Sequence, residues 1–428
     1  MQVTITPAKR LVGEVEIPGD KSISHRCIIL GAIADGDTHL SRFLMSSDCL
    51  NTIKAFRQMG VNINVPDSNN VTISGVGLYR LKPPSSPIDA GNSGTTARLL
   101  AGLLSGQNFE SVITGDESLQ KRPMDRIIAP LRKMGANIKA CNSPGYLPLS
   151  ISPGTLEGID YEMPVASAQV KSALILATLY ANSPSCIHQP AVSRDHTEIL
   201  LQTFGGKIDV HNNTIIAYPA QRLYGQNIKI PGDISSAAFL MTAGLLVPNS
   251  ELTLKEVGIN PTRTGILDVY RQMGADISVE NLSFSGGEKT GDITVKTSCL
   301  KGTVISGDLI PRLIDEIPII ALAATQAHGT TIIRDAQELK VKESNRINTV
   351  VNMLSRLGAN IESTDDGMVI HGPVTLKGNT LDSFGDHRLA MTAAVAGLIA
   401  QGETVVDGWE WTDVSFPGFY ETLKNLQS

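Results

Sequence analysis

Seven basic residues lie at or just inside the predicted starts of helices, where long cations are unusual. A helix start carries the positive end of the helix dipole, so cations normally favour the other end. Several cations at helix starts therefore indicate a pocket for anionic groups, to which arginine gives forked contacts. The seven residues are Lys21, Arg26, Arg122, Arg194, Lys342, Arg346 and Arg388.

Two acidic positions accompany these cations. Asp315 and Glu316 interrupt the apolar run "LIDEIPIIALAA" (313–324), and Glu343 directly follows Lys342. A buried carboxylate is costly unless it is paired, so we expect Asp315 or its neighbour to meet a cation across a cleft. A carboxylate near lysine and arginine can act as a general acid or base. The alternative for Asp315 and Glu343 is a salt bridge that only fixes the pocket.

The segment "DAGNSGTT" (89–96) predicts a helix entry whose backbone N–H groups can approach a phosphate closely. The Walker A pattern, HExxH and CxxC are absent, and the five cysteines are scattered, which favours neither disulfides nor a zinc site. His196 and Glu198 in "RDHTE" are interpreted as polar residues of a helix start rather than as metal ligands. We therefore expect neither a metal nor a cofactor.

The elements that must position these residues recur along the chain. A turn and a polar residue lead six times into a small, apolar helix, in segments 18–36, 89–106, 163–180, 231–248, 313–329 and 383–402. An amphipathic helix closed by glycine follows in segments 48–63, 122–138, 194–208, 260–277 and 342–361, with 416–428 as a truncated sixth. Four of the closing glycines occupy positions where a helix end requires a left-handed residue, Gly60, Gly135, Gly274 and Gly358. The chain thus predicts six copies of a helix–strand–helix–strand unit.

Six units in 428 residues predict two α/β domains of three units each. The sequence "IPGD" occurs at the start of both copy one and copy four, so we place the domain boundaries near residues 20 and 231. Residues 20–230 then hold repeats one to three, and 1–19 with 231–428 hold repeats four to six, with two crossover strands as a hinge. The first strand, within residues 1–15, is expected to pair with the carboxyl-terminal half. Pseudo-threefold symmetry would bring the apolar helix starts of each domain to one face.

Composition excludes several classes of protein. A net charge of −6, from 36 basic and 42 acidic residues, argues against a general nucleic-acid binder. No apolar run approaches the roughly 18 residues of a membrane span. The amino terminus alternates like a strand and lacks the apolar core of a signal peptide. We expect a soluble, cytoplasmic, monomeric protein without nucleic-acid or membrane partners.

Nine motifs together carry a resemblance to a known family. They are "GDKSISHR", "GNSGTTARLL", "KRPMDR", "SAQVKSALILA", "RDHTE", "NPTR", "IDEIP", "VKESNR" and "GDHRLAM". Over essentially its whole length the chain resembles the 5-enolpyruvylshikimate-3-phosphate synthases, and four motifs look like the class II branch, which is less sensitive to glyphosate. The resemblance implies two inside-out α/β domains, each of three βαβαββ repeats, that close over the substrates.

The resemblance also implies a reaction and a role for each site residue. The enolpyruvyl group of phosphoenolpyruvate passes to the 5-hydroxyl of shikimate 3-phosphate through a tetrahedral ketal phosphate, and phosphate is released, on the route to chorismate and aromatic amino acids. Asp315 would take the hydroxyl proton, and Lys21 or Glu343 would manage the proton at the methylene carbon. Shikimate 3-phosphate would contact Lys21, Ser22, Arg26, Ser167, Gln169, Arg194, Asp315 and Lys342. Phosphoenolpyruvate would contact Lys21, Gly94, Arg122, Gln169, Arg346 and Arg388, and glyphosate-type inhibitors are implied as further ligands.

Three positions depart from the family pattern, and two other functions stay open. Ala168 and Glu338 stand where many members carry serine and asparagine, and Val414 and Ser415 precede "FP" where many members carry lysine. One phosphate contact is then expected to be lost at Ala168, and one phosphoenolpyruvate contact is either lost near Val414 or supplied by another cation. Enolpyruvyl transfer to UDP-N-acetylglucosamine is the first alternative, but its family usually has a reactive cysteine in the loop corresponding to 105–121, which contains none. A non-catalytic anion-binding homologue is the second. It would be expected to lose Asp315 or Glu343, and both are present.

Overall fold

The computed structural model describes residues 1–67 and 69–427, and its contacts divide the chain into two compact units. Residue 428, which ends the predicted sixth amphipathic segment, lies outside the described residues. The first unit comprises residues 19–230 with 285–288, and the second comprises 1–18, 231–284 and 289–428.

In the described residues, twelve of the fourteen α-helices fall where the two recurring patterns predict them, and the short helices α4 and α10 are additional. The α-helices are α1 Lys21–Ile33, α2 Ser47–Gln58, α3 Gly94–Leu104, α4 Glu117–Gln120, α5 Asp125–Lys133, α6 Ala168–Thr178, α7 His196–Thr203, α8 Ile234–Leu246, α9 Gly265–Gln272, α10 Leu309–Leu313, α11 Ile317–Thr325, α12 Arg346–Arg356, α13 His387–Ile399 and α14 Phe419–Leu426. Two 3₁₀ helices span Gln337–Val341 and Trp409–Val414. The glycines that close the second helices have positive φ, which confirms the predicted left-handed ends at Gly60, Gly135, Gly274 and Gly358.

The strands are short, and most lie between these helices. They are β1 Gln2–Ile5, β2 Val12–Glu16, β3 Asp35–Ser41, β4 Asn62–Asn64, β5 Val71–Val76, β6 Ile88–Asp89, β7 Ser111–Thr114, β8 Asn137–Ala140, β9 Leu149–Ser152, β10 Asp160–Glu162, β11 Ser185–His188, β12 Ile208–His211, β13 Thr214–Ala217, β14 Asn227–Lys229, β15 Glu251–Gly258, β16 Asp276–Ser285, β17 Glu288–Lys296, β18 Val304–Ile305, β19 Gly329–Ile333, β20 Asn360–Ser363, β21 Met368–Gly372, β22 Thr380–Asp382 and β23 Thr404–Asp407.

Within the described residues, these strands form six sheets, and five of them share one strand order. In the sheet β6–β7–β9–β8, for example, β6 and β7 are parallel, whereas β9 is antiparallel to both β7 and β8. The other four-stranded sheets are β14–β3–β5–β4, β10–β11–β13–β12, β2–β15–β17–β16 and β18–β19–β21–β20. The sixth sheet has three strands, in the order β22–β23–β1.

Each complete repeat therefore reads strand–helix–strand–helix–strand–strand. The unit predicted from the residues alone lacked the leading strand and one of the two closing strands. Leading strands such as β6, with two residues, are too short to show a periodic pattern. In the first repeat of each unit the leading strand also comes from a distant segment, because β14 pairs with β3 and β2 pairs with β15.

The first strand of the chain closes the last sheet. Residues Gln2–Ile5 pair antiparallel with Thr404–Asp407, and β2 pairs parallel with β15. Both partners belong to the carboxyl-terminal half, which confirms the predicted pairing of the amino-terminal strand.

The apolar helices form the interior of each unit. In α8 every residue from Ile234 to Leu245 is buried, and α3 and α6 pack closely against each other. A Cβ at Gly102 on α3 would lie 2.1 Å from the carbonyl oxygen of Ala173 on α6, so this approach requires glycine. Strands such as β9 and β11 alternate buried and half-buried residues, with one face on these helices. Helices inside and sheets outside give each unit the expected inside-out arrangement.

No helix in the described part of the chain combines the length and apolar character that a membrane span requires.

Candidate active site

The start of α1 places Lys21 and Ser22 in the first turn of a buried helix. Asp20 is the N-cap residue, and its Oδ1 accepts a hydrogen bond of 2.9 Å from the amide of Ile23. The ammonium of Lys21 donates to Oδ2 of Asp48 on α2 across 3.1 Å. Both side chains are largely buried. Asp48 therefore helps to position the Lys21 ammonium, and no local feature of the sequence pointed to this partner.

Arg26 joins three helices. Its Nε donates to Oγ1 of Thr197 at 2.6 Å, and its Nη2 donates to Oγ of Ser172 at 2.9 Å. A third hydrogen bond runs from Nη1 to the carbonyl of Ser22 at 3.0 Å. The buried guanidinium thus holds α1 against α6 and α7, in addition to any contact with a ligand.

Beside these cations lies a buried imidazole. His25 on α1 has its Nδ1 2.7 Å from Oγ1 of Thr52. Burial, and then the positive charges of Lys21 and Arg26, lower the pKa of His25 well below its usual value. The neutral ring therefore adds no further positive charge to this cluster at neutral pH.

The entry to α3 brings Gly94 and Arg122 together. Ser93 is the N-cap residue and accepts from the amide of Thr96 at 3.1 Å, and Gly94 is the first residue of the helix. Arg122, in the loop before α5, donates through Nη2 to Oδ1 of Asn92 at 2.5 Å. A guanidinium therefore stands beside a helix start that has a glycine in its first position, which is a suitable site for an anion.

The start of α6 reaches the same place. Ser167 is the N-cap residue of α6, and Gln169 lies in its first turn. The amide nitrogen of Gln169 donates to Oγ1 of Thr95 on α3 at 3.2 Å, and its oxygen accepts from Nη1 of Arg98 at 2.8 Å. The predicted site residues Gly94, Arg122 and Gln169 therefore lie around one helix start.

Arg98 was missed by the sequence reasoning. It lies four residues after Gly94 on α3, so the two residues share a helix face, and this spacing could have revealed it.

Arg194 lies two residues before α7 and is half-buried. The interpretation of His196 and Glu198 as helix-start residues agrees with the structure, because α7 begins at His196. Nδ1 of His196 lies 2.5 Å from Oε1 of Glu288, and Glu198 forms a buried ion pair of 2.6 Å with Lys171. Both side chains are thus bound to other protein groups.

In the second unit, Asp315 is the centre of a charged cluster. It lies in the turn between α10 and α11, and its Oδ1 accepts hydrogen bonds of 3.2 Å from both Lys342 and Arg346. Nη2 of Arg388 is 3.8 Å from the other carboxylate oxygen. Four of the predicted site residues are therefore brought together from segments far apart in the sequence.

The cations that contact Asp315 here come from its own unit. Lys342, Arg346 and Arg388 all belong to the same unit as Asp315, and a cation from across a cleft stays a prediction. These pairs form because the turn before α11 lies against the starts of α12 and α13 within one unit.

Arg346 is surrounded by carboxylates. It is almost fully buried, and its Nη2 donates to Oε2 of Glu343 at 2.7 Å. Nε and Nη2 also donate to the two carboxylate oxygens of Asp386, at 2.7 and 3.1 Å. Burial alone would lower the pKa of Arg346, but Asp386, Glu343 and Asp315 outweigh it and raise that pKa.

In this unit, the cationic pocket expected from the sequence is therefore a cluster of mixed charge. Three cations lie among four carboxylates, since Glu316 is also 3.9 Å from Arg388. Asp386 was not among the predicted site residues. It is also the N-cap of α13 and accepts from the amide of Arg388 at 3.0 Å. Its place directly before the helix, in "GDHR", was the available signal.

Copy four of the repeat has a similarly capped helix start, and the cation beside it is fully buried. Asp233 is the N-cap of α8, as Asp20 is of α1. Nη2 of Arg263 donates to Asp233 at 3.1 Å and to Oγ of Ser235 at 2.7 Å, and all three side chains are buried. The capped helix is therefore the same in both copies, and in copy four the neighbouring Arg263 forms a buried ion pair with the cap residue Asp233.

Comparison with known proteins gives the same result over the whole chain. The family model described as EPSP synthase (3-phosphoshikimate 1-carboxyvinyltransferase) matches residues 5–423. The chain belongs to this family. The membership confirms the predicted resemblance and the transferase class.

Relatives and solved structures agree with that membership. The 3-phosphoshikimate 1-carboxyvinyltransferase of Desulforamulus reducens is 52% identical over 426 residues, covering 100% of this chain and 99% of the relative. That of Geobacillus kaustophilus is 54% identical over 423 residues, covering 98% and 99%. The solved EPSP synthase of Acinetobacter baumannii is similar to this chain with a TM-score of 0.90 and 44% identity, covering 100% and 98%. These neighbours confirm the predicted fold class, a mixed α/β protein with the two-domain enolpyruvyl transferase fold.

Proposed function

We propose that this protein transfers the enolpyruvyl group of phosphoenolpyruvate to the 5-hydroxyl of shikimate 3-phosphate and releases phosphate. The observation that carries the proposal is the position of Asp315. Its carboxylate accepts hydrogen bonds from Lys342 and Arg346, in a chain that belongs to the EPSP synthase family. A carboxylate held in position by such hydrogen bonds can accept a proton from a substrate hydroxyl.

We assign shikimate 3-phosphate to the starts of α1, α6 and α7, together with Asp315 and Lys342. The first-unit residues of this set are Lys21, Ser22, Arg26, Ser167, Gln169 and Arg194. The amides of a helix start and a neighbouring cation both attract phosphate and carboxylate groups. Arg26 supports the assignment through its hydrogen bonds to α6 and α7, since these fix the three helix starts relative to one another.

We assign phosphoenolpyruvate to Lys21, Gly94, Arg122 and Gln169, and to Arg346 and Arg388 of the second unit. Gly94 is the first residue of α3 and has no side chain, and Arg122 stands beside this helix start through Asn92. Arg346 is positively charged and held rigid by Asp386. Preorganised cations of this kind stabilise charge that develops on a substrate without moving during the reaction.

The proposed reaction has two proton-transfer stages. In the addition, Asp315 accepts the proton of the 5-hydroxyl as its oxygen attacks C2 of phosphoenolpyruvate, and C3 gains a proton to become a methyl group. In the elimination, the methyl group loses a proton, the bond from C2 to the phosphate oxygen breaks, and phosphate leaves. Lys21 or Glu343 handles the proton at C3. Lys21 is a donor next to Asp48, and Glu343 is bound to Arg346 at 2.7 Å.

The test is phosphate release measured with three mixtures. Phosphoenolpyruvate with shikimate 3-phosphate should release phosphate, whereas phosphoenolpyruvate alone should not. Phosphoenolpyruvate with UDP-N-acetylglucosamine should also give none. Release in that third mixture would favour the first alternative function. Tight binding of shikimate 3-phosphate by calorimetry without any turnover would favour the non-catalytic homologue.

Four further expectations stay predictions. They are closure of the two predicted domains over the substrates, binding of glyphosate-type inhibitors, a monomeric state and a cytoplasmic location. An inhibition titration against phosphoenolpyruvate, light scattering of the purified protein and imaging of the tagged chain in cells would test the last three.

A further inference from the structure

The outer surface of the sheet β10–β11–β13–β12 carries three side chains that are common metal ligands. Asp160, Cys186 and His188 each offer one ligand atom, and these atoms all lie within 4.8 Å of one another. Nε2 of His188 is 2.9 Å from Oδ1 of Asp160 and 3.4 Å from Sγ of Cys186. The three residues thus form one compact group rather than two separate pairs.

The sheet itself fixes this arrangement. Cys186 and His188 are alternate residues of β11, so their side chains project from the same face. Asp160 on the parallel strand β10 is the register partner of Cys186. Three ligands on two paired strands have little freedom to separate, so the backbone holds them in position without any metal.

A fourth residue orients the imidazole. Nδ1 of His188 lies 3.0 Å from Oγ1 of Thr214 on β13, the neighbouring strand. This contact leaves Nε2 directed at Asp160 and Cys186. A histidine that binds a metal through one nitrogen usually has its other nitrogen in such a hydrogen bond.

We propose that Asp160, Cys186 and His188 bind one Zn²⁺ or a similar divalent transition metal. Thiolate, imidazole and carboxylate are the three donors that zinc takes in proteins, and hard cations such as Mg²⁺ and Ca²⁺ prefer oxygen alone. Zinc bonds of about 2.0–2.3 Å in a tetrahedron separate the ligand atoms by roughly 3.3–3.8 Å. The distances of 2.9 and 3.4 Å from Nε2 of His188 to Asp160 and Cys186 would therefore have to increase only slightly.

This increase in distance is possible, because the Asp160 side chain is 79% exposed. Glu162, the register partner of His188 on β10, or a water molecule completes the coordination. The group contains none of the residues assigned to the substrates. It escaped the sequence analysis because the pattern is Cys-x-His, not CxxC, and the aspartate precedes the histidine by 28 residues.

The experiment is a titration of the full-length, metal-free protein with Co²⁺ under reducing conditions, followed by absorption spectroscopy. A thiolate bound to Co²⁺ gives an intense charge-transfer band in the near ultraviolet, and we expect this band to saturate at one equivalent and to disappear when Zn²⁺ is added. Cys186→Ser should abolish the band. The exposed-cysteine control Cys141→Ser should retain it.

Competition titrations with Zn²⁺ extend the test to the other residues. Asp160→Asn and His188→Asn should weaken binding by at least about tenfold, and Thr214→Val by about tenfold through the lost orientation of the ring. Phosphate release from the substrates should be unchanged in Asp160→Asn, which shows that the variant is folded. Absence of a saturable band in the unmodified protein, or a band that persists in Cys186→Ser, would overturn the proposal.

Discussion

Arg98 on α3 donates a hydrogen bond to Gln169 on α6, and its Nη1 lies 2.8 Å from the amide oxygen. A Cβ added at Gly94 would lie 2.6 Å from the same Nη1. Nη2 of Arg98 is also bound to the carbonyl of Pro123 at 3.2 Å, so the guanidinium cannot move without losing contacts. The absence of a side chain at residue 94 is therefore a condition for the orientation of Gln169, which is a proposed substrate ligand.

Gly94→Ala is predicted to weaken phosphoenolpyruvate binding through Arg98. Displacing a hydrogen bond from a charged group costs about 1.5 kcal/mol, which corresponds to roughly a tenfold rise in KM. Steady-state phosphate release at saturating shikimate 3-phosphate measures this KM.

A double-mutant cycle with Arg98→Ala separates this route from direct crowding of the substrate. If Gly94→Ala acts by moving Arg98, it should add little to the KM of Arg98→Ala. Fully additive effects on KM would show that the methyl group acts without Arg98.

Asp315→Ala is predicted to lower kcat by about 10²- to 10⁴-fold, the usual contribution of a general acid or base. Binding of shikimate 3-phosphate should remain measurable by calorimetry, because the other assigned ligands are still present. Asp308→Ala is the matched control, since Asp308 is exposed at the start of α10. A variant Asp315→Ala with unchanged kcat would remove Asp315 from the mechanism.

The helix starts could be predicted because their signals are local. Asp20, Ser93, Ser167 and Asp386 each stand directly before an apolar helix and cap it with a side-chain oxygen. A cap and the periodic residues behind it lie within one short stretch of sequence, so a single chain contains the information. The six apolar helices, and the positions of Lys21, Arg26 and Arg388 on two of them, followed from such stretches.

The partners of those cations could not be predicted in the same way. Arg346 and Asp386 are 40 residues apart, and Arg26 and Thr197 are 171 apart. No local pattern encodes which helix starts meet, because that depends on how the repeats pack in space. The pairing of Asp315 with cations of its own unit, and the Asp160–Cys186–His188 group, were hidden for the same reason.

Asp386→Ala is predicted to destabilise the protein by about 3 kcal/mol, because it leaves the buried Arg346 without its forked partner. The side chains of both residues are at most 1% exposed. Denaturant unfolding measures the loss. Asp268→Ala is the matched control, because the Asp268–Arg312 pair has the same 2.7 Å separation but is partly exposed, and its loss should cost less than about 1 kcal/mol. Equal losses of unfolding free energy in Asp386→Ala and Asp268→Ala would show that burial does not set the cost of breaking these ion pairs.

His25→Asn is predicted to make the free energy of unfolding less dependent on pH below about pH 6.5. The pKa of His25 is lowered in the folded protein, so below about pH 6.5 the unfolded chain binds a proton that the folded chain does not. The stability from this residue is complete above that pH and falls as the pH decreases, by up to about 1.4 kcal/mol per pH unit. Free energies of unfolding measured at several pH values should fall less steeply in His25→Asn than in the unmodified protein. The exposed control His39→Asn should keep the original slope, and an unchanged slope in His25→Asn would show that another group causes the loss.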